Sequence, residues 1–239
     1  MILERPSGER GSVRTGWLDS RHTFSFGHFH DPAWMGFGAL RVINEDRVAP
    51  GAGFPTHGHA NMEILSYVLE GALAHRDDAG GGGEGGVLVP GELQWMGAGH
   101  GIRHSEFNAS DSAPVHFLQV WIQPDRVNAP PGWASRAFPA ADRQGRWVPL
   151  AAPEGAGGAL ALRQDAWLHG TLLDAGAGVE HVLAAGRRYW LHVARGNVTV
   201  GGRALAAGDA LGFEQEDRTL SVRGAGKGVA DVLLFDLPA

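Results

Sequence analysis

Two short stretches of the chain carry side chains at spacings suited to holding a metal ion. The first is Gly51-Ala-Gly-Phe-Pro-Thr-His57-Gly-His59-Ala-Asn-Met-Glu63. Side chains two apart on a strand leave the same face, so His57 and His59 can present two imidazoles to one point, with Glu63 on the same parity. The second is Gly99-His100-Gly-Ile-Arg-His104-Ser-Glu106-Phe-Asn108. Here His104 and Glu106 are two apart, and a second strand offers one imidazole and one carboxylate. Facing strands of a small barrel would bring together His57, His59, His104 and Glu106. Four protein ligands leave two octahedral positions open for substrate and dioxygen, and such an N/O set suits Fe(II), Mn, Ni or Cu, with Zn also possible. A closed tetrahedral zinc site would be less able to do chemistry.

Composition narrows the alternatives. The chain has no cysteine, which removes disulfides, thiolate nucleophiles, zinc fingers and iron–sulfur clusters together. Nine of its 12 histidines fall at or before His116, so the candidate chemistry is concentrated in the first half. With a net charge of −6, no basic footprint for nucleic acid is visible. No run of 18 apolar residues suggests a membrane span. Met1-Ile-Leu-Glu-Arg-Pro6 lacks the apolar core of a signal peptide, so the expectation is a cytoplasmic protein. There is no Gly-x-Ser-x-Gly elbow and no Rossmann or Walker fingerprint.

The elements that must position these residues read as short strands. Met62 to Leu69 is apolar on both faces and is followed by a Glu70-Gly71 turn and a second run, Ala72 to Arg76. Val87 to Val89, Leu93 to Met96 and Val115 to Ile122 continue the pattern, separated by glycine turns. Glycine fills 37 of 239 positions, about twice ordinary usage. This rhythm argues for an all-β sandwich or barrel with at most short helices. Gly80 to Gly86 reads as a flexible hairpin tip. Six prolines punctuate Gln123 to Gly158, which reads as a connection holding one strand near Arg146 to Pro149.

The second half repeats the first. Tyr67-Val-Leu-Glu-Gly71 answers to His192-Val-Ala-Arg-Gly196, and Val89-Pro-Gly91-Glu to Ala206-Ala-Gly208-Asp. Two copies of one β unit is the economical reading. Counting from the paired turns places Val182, Ala184, Ser221 and Arg223 where the first half has His57, His59, His104 and Glu106. None is a good ligand, so the second unit is expected to be metal-free.

The same residues carry a family resemblance. His57-Gly-His59 with Glu63, then His104 and Asn108, is similar to the two cupin motifs. The strings Arg21-His-Thr-Phe-Ser-Phe-Gly27, Gly36-Phe-Gly-Ala-Leu-Arg-Val-Ile-Asn-Glu-Asp46 and Gly101-Ile-Arg-His-Ser-Glu106 resemble the pirin family specifically. The resemblance is strong over residues 12 to 124 and continues more weakly to the end. It implies two cupin (jelly-roll) barrels packed face to face: a metal-binding barrel over 1–124, a linker over 125–158 and a metal-free barrel over 159–239. It also implies one divalent metal, usually iron, on His57, His59, His104 and Glu106, with Glu63 a buried acceptor for a histidine ring nitrogen rather than a ligand.

The activity it implies is cleavage of a flavonol such as quercetin by O2 with release of carbon monoxide, Glu106 serving also as proton acceptor. The partners implied are a small aromatic substrate and O2, with no nucleic acid and no membrane. One alternative is an iron-dependent regulatory or redox-sensing protein acting on a partner protein. Another is a different cupin chemistry that needs no oxygen. His100 lines the pocket mouth or caps its turn. The His28-Phe-His30 pair and the single His75, His116, His169, His181 and His192 are expected to be packed or surface histidines. Trp17, Trp34, Trp95 and Trp121 read as core or barrel-lip aromatics.

Overall fold

A computed structural model describes residues 1–78 and 85–239, and the glycine-rich tip lies largely outside them. The first half supplies β1 (Ile2–Arg5), β2 (Gly11–Arg14), β3 (Leu18–His22), β4 (Leu40–Val48), β5 (Gly53–His59) and β6 (Glu63–Glu70). It continues with β7 (Leu73–Asp77), β8 (Gly85–Leu88), β9 (Glu92–Gly97), β10 (Ile102–Asn108), β11 (Val115–Ile122) and β12 (Gly132–Ala137). After a single helical turn, α1 (Ala140–Arg143), come β13 (Val148–Pro153), β14 (Leu160–Leu162), β15 (Trp167–Leu173), β16 (Gly178–Leu183) and β17 (Arg187–Arg195). The chain ends with β18 (Asn197–Val200), β19 (Arg203–Ala206), β20 (Ala210–Glu214), β21 (Arg218–Ala225) and β22 (Ala230–Pro238).

Each half is a jelly roll made of one seven-stranded and one four-stranded sheet. In the first the orders are β12-β9-β6-β11-β4-β3-β2 and β5-β10-β7-β8; in the second, β1-β20-β17-β22-β15-β13-β14 and β16-β21-β18-β19. The inner strands correspond in order, β9-β6-β11-β4 with β20-β17-β22-β15 and β5-β10-β7-β8 with β16-β21-β18-β19, which is the duplication visible in the sequence. The outer pairs differ, β2 running antiparallel to β3 and β14 parallel to β13. The paired turn glycines share a left-handed backbone: Gly71 and Gly196 at φ +76° and +73°, Gly91 and Gly208 at +90° and +87°. A Cβ at Gly71 would also stand 2.7 Å from the Pro114 carbonyl oxygen, so no larger residue fits that hairpin without a shift.

The seven-stranded sheets face each other, which explains why their central strands are apolar on both sides. On β6, Leu65, Tyr67 and Leu69 enter the large core between the halves, as do Leu118, Val120 and Ile122 of β11 and Leu233, Phe235 and Leu237 of β22. Alternate residues point into each roll's own interior. In the second half that interior is one apolar cluster including Val179, Leu183, Leu220 and Val222. In the first half it is split into two clusters, one around Phe117 and Leu73, the other around Ile64 and Ile102. A polar band lies between them.

Residues 125–158 are more than a connection. β12 adds to β9 in the first sheet, while β13 pairs with β14 and β15 in the second. The corresponding edge of the second sheet, beside β20, is taken by β1 from the N-terminus. Both strands are too short and too polar to announce themselves by periodicity. They form because they cover an edge that would otherwise be unpaired.

The counting that placed Val182, Ser221 and Arg223 at ligand positions slips by one residue. Val182 is 70% exposed, and Ser221 and Arg223 point outward. The inward residues are Val179, His181 and Leu183 on β16 and Leu220 and Val222 on β21. A change of one in loop length exchanges the two faces of a strand.

Candidate metal centre

β5 and β10 are antiparallel neighbours, with Ile102 opposite His59 and His104 opposite His57. The register then shifts, so that Glu106 stands opposite Phe54. The extra residue lies on β5 around Pro55, which has no N–H to give to the ladder and suits a bulge. Alternation sends His57, His59, His104 and Glu106 to the inner face, and β7 adds His75 and Asp77 to that face, opposite Glu106 and His104. The sheet across the interior contributes Asn44 and Asp46 of β4, Ser66 of β6 and Gln119 and Trp121 of β11.

One nitrogen from each of His57, His59 and His104 lies within 4.8 Å of the others. The Nε2 atoms of His57 and His104 are 3.0 Å apart. Two nitrogens bound to one ion at about 2.1 Å and at right angles would stand about 3.0 Å apart, so the spacing fits a shared ion. The Nδ1–H of His57 donates to the Pro55 carbonyl at 2.8 Å, which leaves Nε2 as the lone-pair donor. Burial, reinforced by the neighbouring rings, pushes His59 down to about 4 and His104 down to about 2. Both are therefore neutral near pH 7, the form that binds a metal.

Glu106 is 3% exposed. Its carboxylate accepts from the Ser66 hydroxyl at 2.9 Å and from the Gln119 amide at 2.7 Å. Its oxygen groups with His104 and His75 rather than with His57 and His59. Each carboxylate oxygen accepts one hydrogen bond here and keeps a further lone pair. His57, His59, His104 and Glu106 line one cavity of about 70 Å³, walled by Phe26, Phe54, Ile64, Trp121, Asn44, Asp46 and Gln119. Burial raises Asp46 to about 7, with the charges of Glu106 and Glu45 adding and a hydrogen bond from Ser20 opposing.

Glu63 does not line this cavity. Its Oε2 accepts from Trp95 Nε1 at 2.7 Å and from the Arg163 N–H at 3.0 Å. It is thus a buried acceptor, but for a tryptophan and a backbone amide across the interface; the acceptor for a histidine ring is the Pro55 carbonyl instead. His100 is exposed in its turn and is not a lining residue, and His28 and His30 are exposed as well. Trp121 meets His59 edge-on with centroids 4.9 Å apart, and Trp17 packs on Phe54. Sequence reasoning passed over Asp46, Ser66 and Gln119, which sit in strands that read as plain core. It also treated His75 as a solitary packed histidine, although His75-Arg-Asp77 has the same two-residue spacing as the candidate ligand pairs.

A family model described as pirin matches residues 5–122, and one described as a quercetinase C-terminal cupin domain matches 149–237. The chain is 44% identical over 238 residues to a protein of Escherichia coli K12 named quercetin 2,3-dioxygenase, covering 100% of this chain and 99% of that one. It is 41% identical over 217 residues to a pirin-like protein of Caulobacter vibrioides, covering 90% and 92%. Among solved structures, the bacterial pirin YhhW of Escherichia coli in complex with nickel(II) matches with a TM-score of 0.92 and 42% identity, covering 100% and 99%. On full-length similarity and shared two-roll architecture, the chain belongs to the pirin family.

Proposed function

We propose that the chain is a metal-dependent dioxygenase, with Fe(II) as its working ion, that cleaves a flavonol such as quercetin with O2 and releases carbon monoxide. The observation that carries this reading is the convergence of three imidazoles beside a buried carboxylate in a cavity walled by Phe26, Phe54 and Trp121. The relatives' names and the nickel held by a similar structure support it. His57, His59 and His104 would hold the ion, with Glu106 as fourth ligand. A bound ion supplies Lewis acidity and redox chemistry to an enolic oxygen and to O2.

The remaining work falls to the chain's own groups. Glu106 accepts the proton of the substrate hydroxyl, while Ser66 and Gln119 fix the carboxylate so that it can be near both ion and substrate. A cavity of about 70 Å³ admits the oxygen-bearing edge of a ring and not a whole flavonol, for which pockets of roughly 300 Å³ or more are usual. The other rings therefore rest on the aromatic lip, and Trp121 Nε1, buried without a partner among the described residues, is a donor at that wall.

The test is oxygen uptake by Fe(II)-loaded protein given quercetin. Uptake matched by carbon monoxide release and abolished in His57→Ala is expected. Loaded protein that consumes no oxygen would overturn the flavonol assignment.

A further inference from the structure

Behind the three histidines lies a second buried group that the proposed reaction does not use. His75 and His104 are 1% and 2% exposed, and their ring centroids are 5.4 Å apart. Two imidazoles joined by one hydrogen bond have centroids about 5 Å apart. The Nε2 of His75 is 2.8 Å from Asp77 Oδ2. An ionised carboxylate can only accept, so in the neutral ring the proton sits on Nε2 and Nδ1 carries the lone pair. That Nδ1 is buried without a hydrogen-bond partner among the described residues, and so is Nδ1 of His104.

The two unmet nitrogens are complementary. For His104 to turn its Nε2 toward the ion, beside His57 Nε2, its proton must sit on Nδ1. His104 then carries a donor on Nδ1, and the adjacent ring of His75, whose tautomer Asp77 fixes, carries an unmet acceptor. We propose that His75 is a positioning residue for the metal centre: held by Asp77, it accepts from His104 Nδ1–H and so fixes the tautomer and ring angle of that ligand. His57 gains the same service from the Pro55 carbonyl, a local backbone group. His104 is central in its sheet, between β5 and β7, and takes it from a neighbouring strand. The inference rests on the metal-centre reading.

The test uses Co(II) as a paramagnetic probe on wild type, His75→Phe and His75→Gln. Affinity is read by chelator competition, and the ring N–H protons of ligating histidines by their exchangeable, hyperfine-shifted NMR signals. In His75→Phe the His104 signal should vanish by fast exchange or move, and cobalt affinity should fall about 10–100-fold, as for other groups that orient metal ligands. His75→Gln, whose amide oxygen can accept, should restore most of the affinity with a shifted His104 signal. Wild-type affinity and an unmoved His104 signal in the variants would overturn the assignment alone. If Phe at this position prevents folding, the wild-type and Gln spectra decide, an unmoved signal again overturning it. Wild type that binds no cobalt would overturn the metal-centre reading, and this assignment with it.

Discussion

At the scale of single residues, the site is defined as much by what surrounds the candidate ligands as by those residues themselves. Glu63 illustrates the distinction. It shares strand parity with His57 and His59 and sits four residues after His59, yet its hydrogen bonds go to Trp95 and the Arg163 backbone. Burial raises the pKa of its carboxyl, against the opposing pull of those hydrogen bonds and of Arg163 and Arg126. Glu63→Ala is expected to lower stability by about 1–3 kcal/mol, the cost of leaving buried donors unmet. It should leave metal stoichiometry unchanged, because the carboxylate is outside the cavity. Thermal melts together with elemental analysis of the purified variant check both halves of this expectation; loss of the metal would make Glu63 part of the centre.

At the scale of elements, β4 shows how alternation serves two purposes within one strand. Asp46 faces the metal cavity, while Glu45 turns the other way, accepting from Arg10 at 2.8 Å and pairing with His116 at 2.9 Å. Burial works against ionisation of Glu45, but the His116 hydrogen bond and the Arg10 charge outweigh it and hold the carboxyl well below the usual range. A depressed carboxyl pKa contributes stability above its unfolded value, and that contribution is lost as pH falls toward the folded one. Glu45→Ala should therefore cost about 3 kcal/mol or more near pH 7, since it strands the buried Arg10 cation. The penalty should shrink below about pH 4, where the unfolded carboxyl is itself protonated. Urea unfolding at both pH values checks this; an equal penalty at the two would mean that packing, not charge, is lost.

At the scale of the whole molecule, the two rolls are tied by more than apolar area. Tyr67 donates to Asp231 at 2.6 Å and accepts from Arg143 at 2.6 Å, all three buried between the halves. The exchange of β1 into the second sheet and the Arg163–Glu63 bond add covalent and polar crossings. Unfolding either half would strip the large shared core from the other. The chain should therefore show one calorimetric transition, and Tyr67→Phe should lower its midpoint by the equivalent of about 1–3 kcal/mol without splitting it. Two resolved transitions in wild type would show that the halves fold as independent units.

The candidate ligand residues that line one cavity and the all-β character were legible because both rest on local regularities. Two-residue spacing puts side chains on one face whatever the rest of the chain does, and glycine turns at φ near +75° admit few other residues. The duplication was legible for the same reason: Gly71 and Gly196, Gly91 and Gly208 occupy matching backbone positions. What sequence could not decide depends on which strands become neighbours. The bulge near Pro55, the polar partners Ser66, Gln119 and Asp46, and the strand that completes each sheet edge all follow from pairings between residues far apart in the chain. Whether Glu63 faces the cavity is also set by sheet register, and a shift of one residue would exchange its two sides. Spacing along the chain thus nominated His57, His59, His104 and Glu106, and tertiary pairing alone gave them their surroundings.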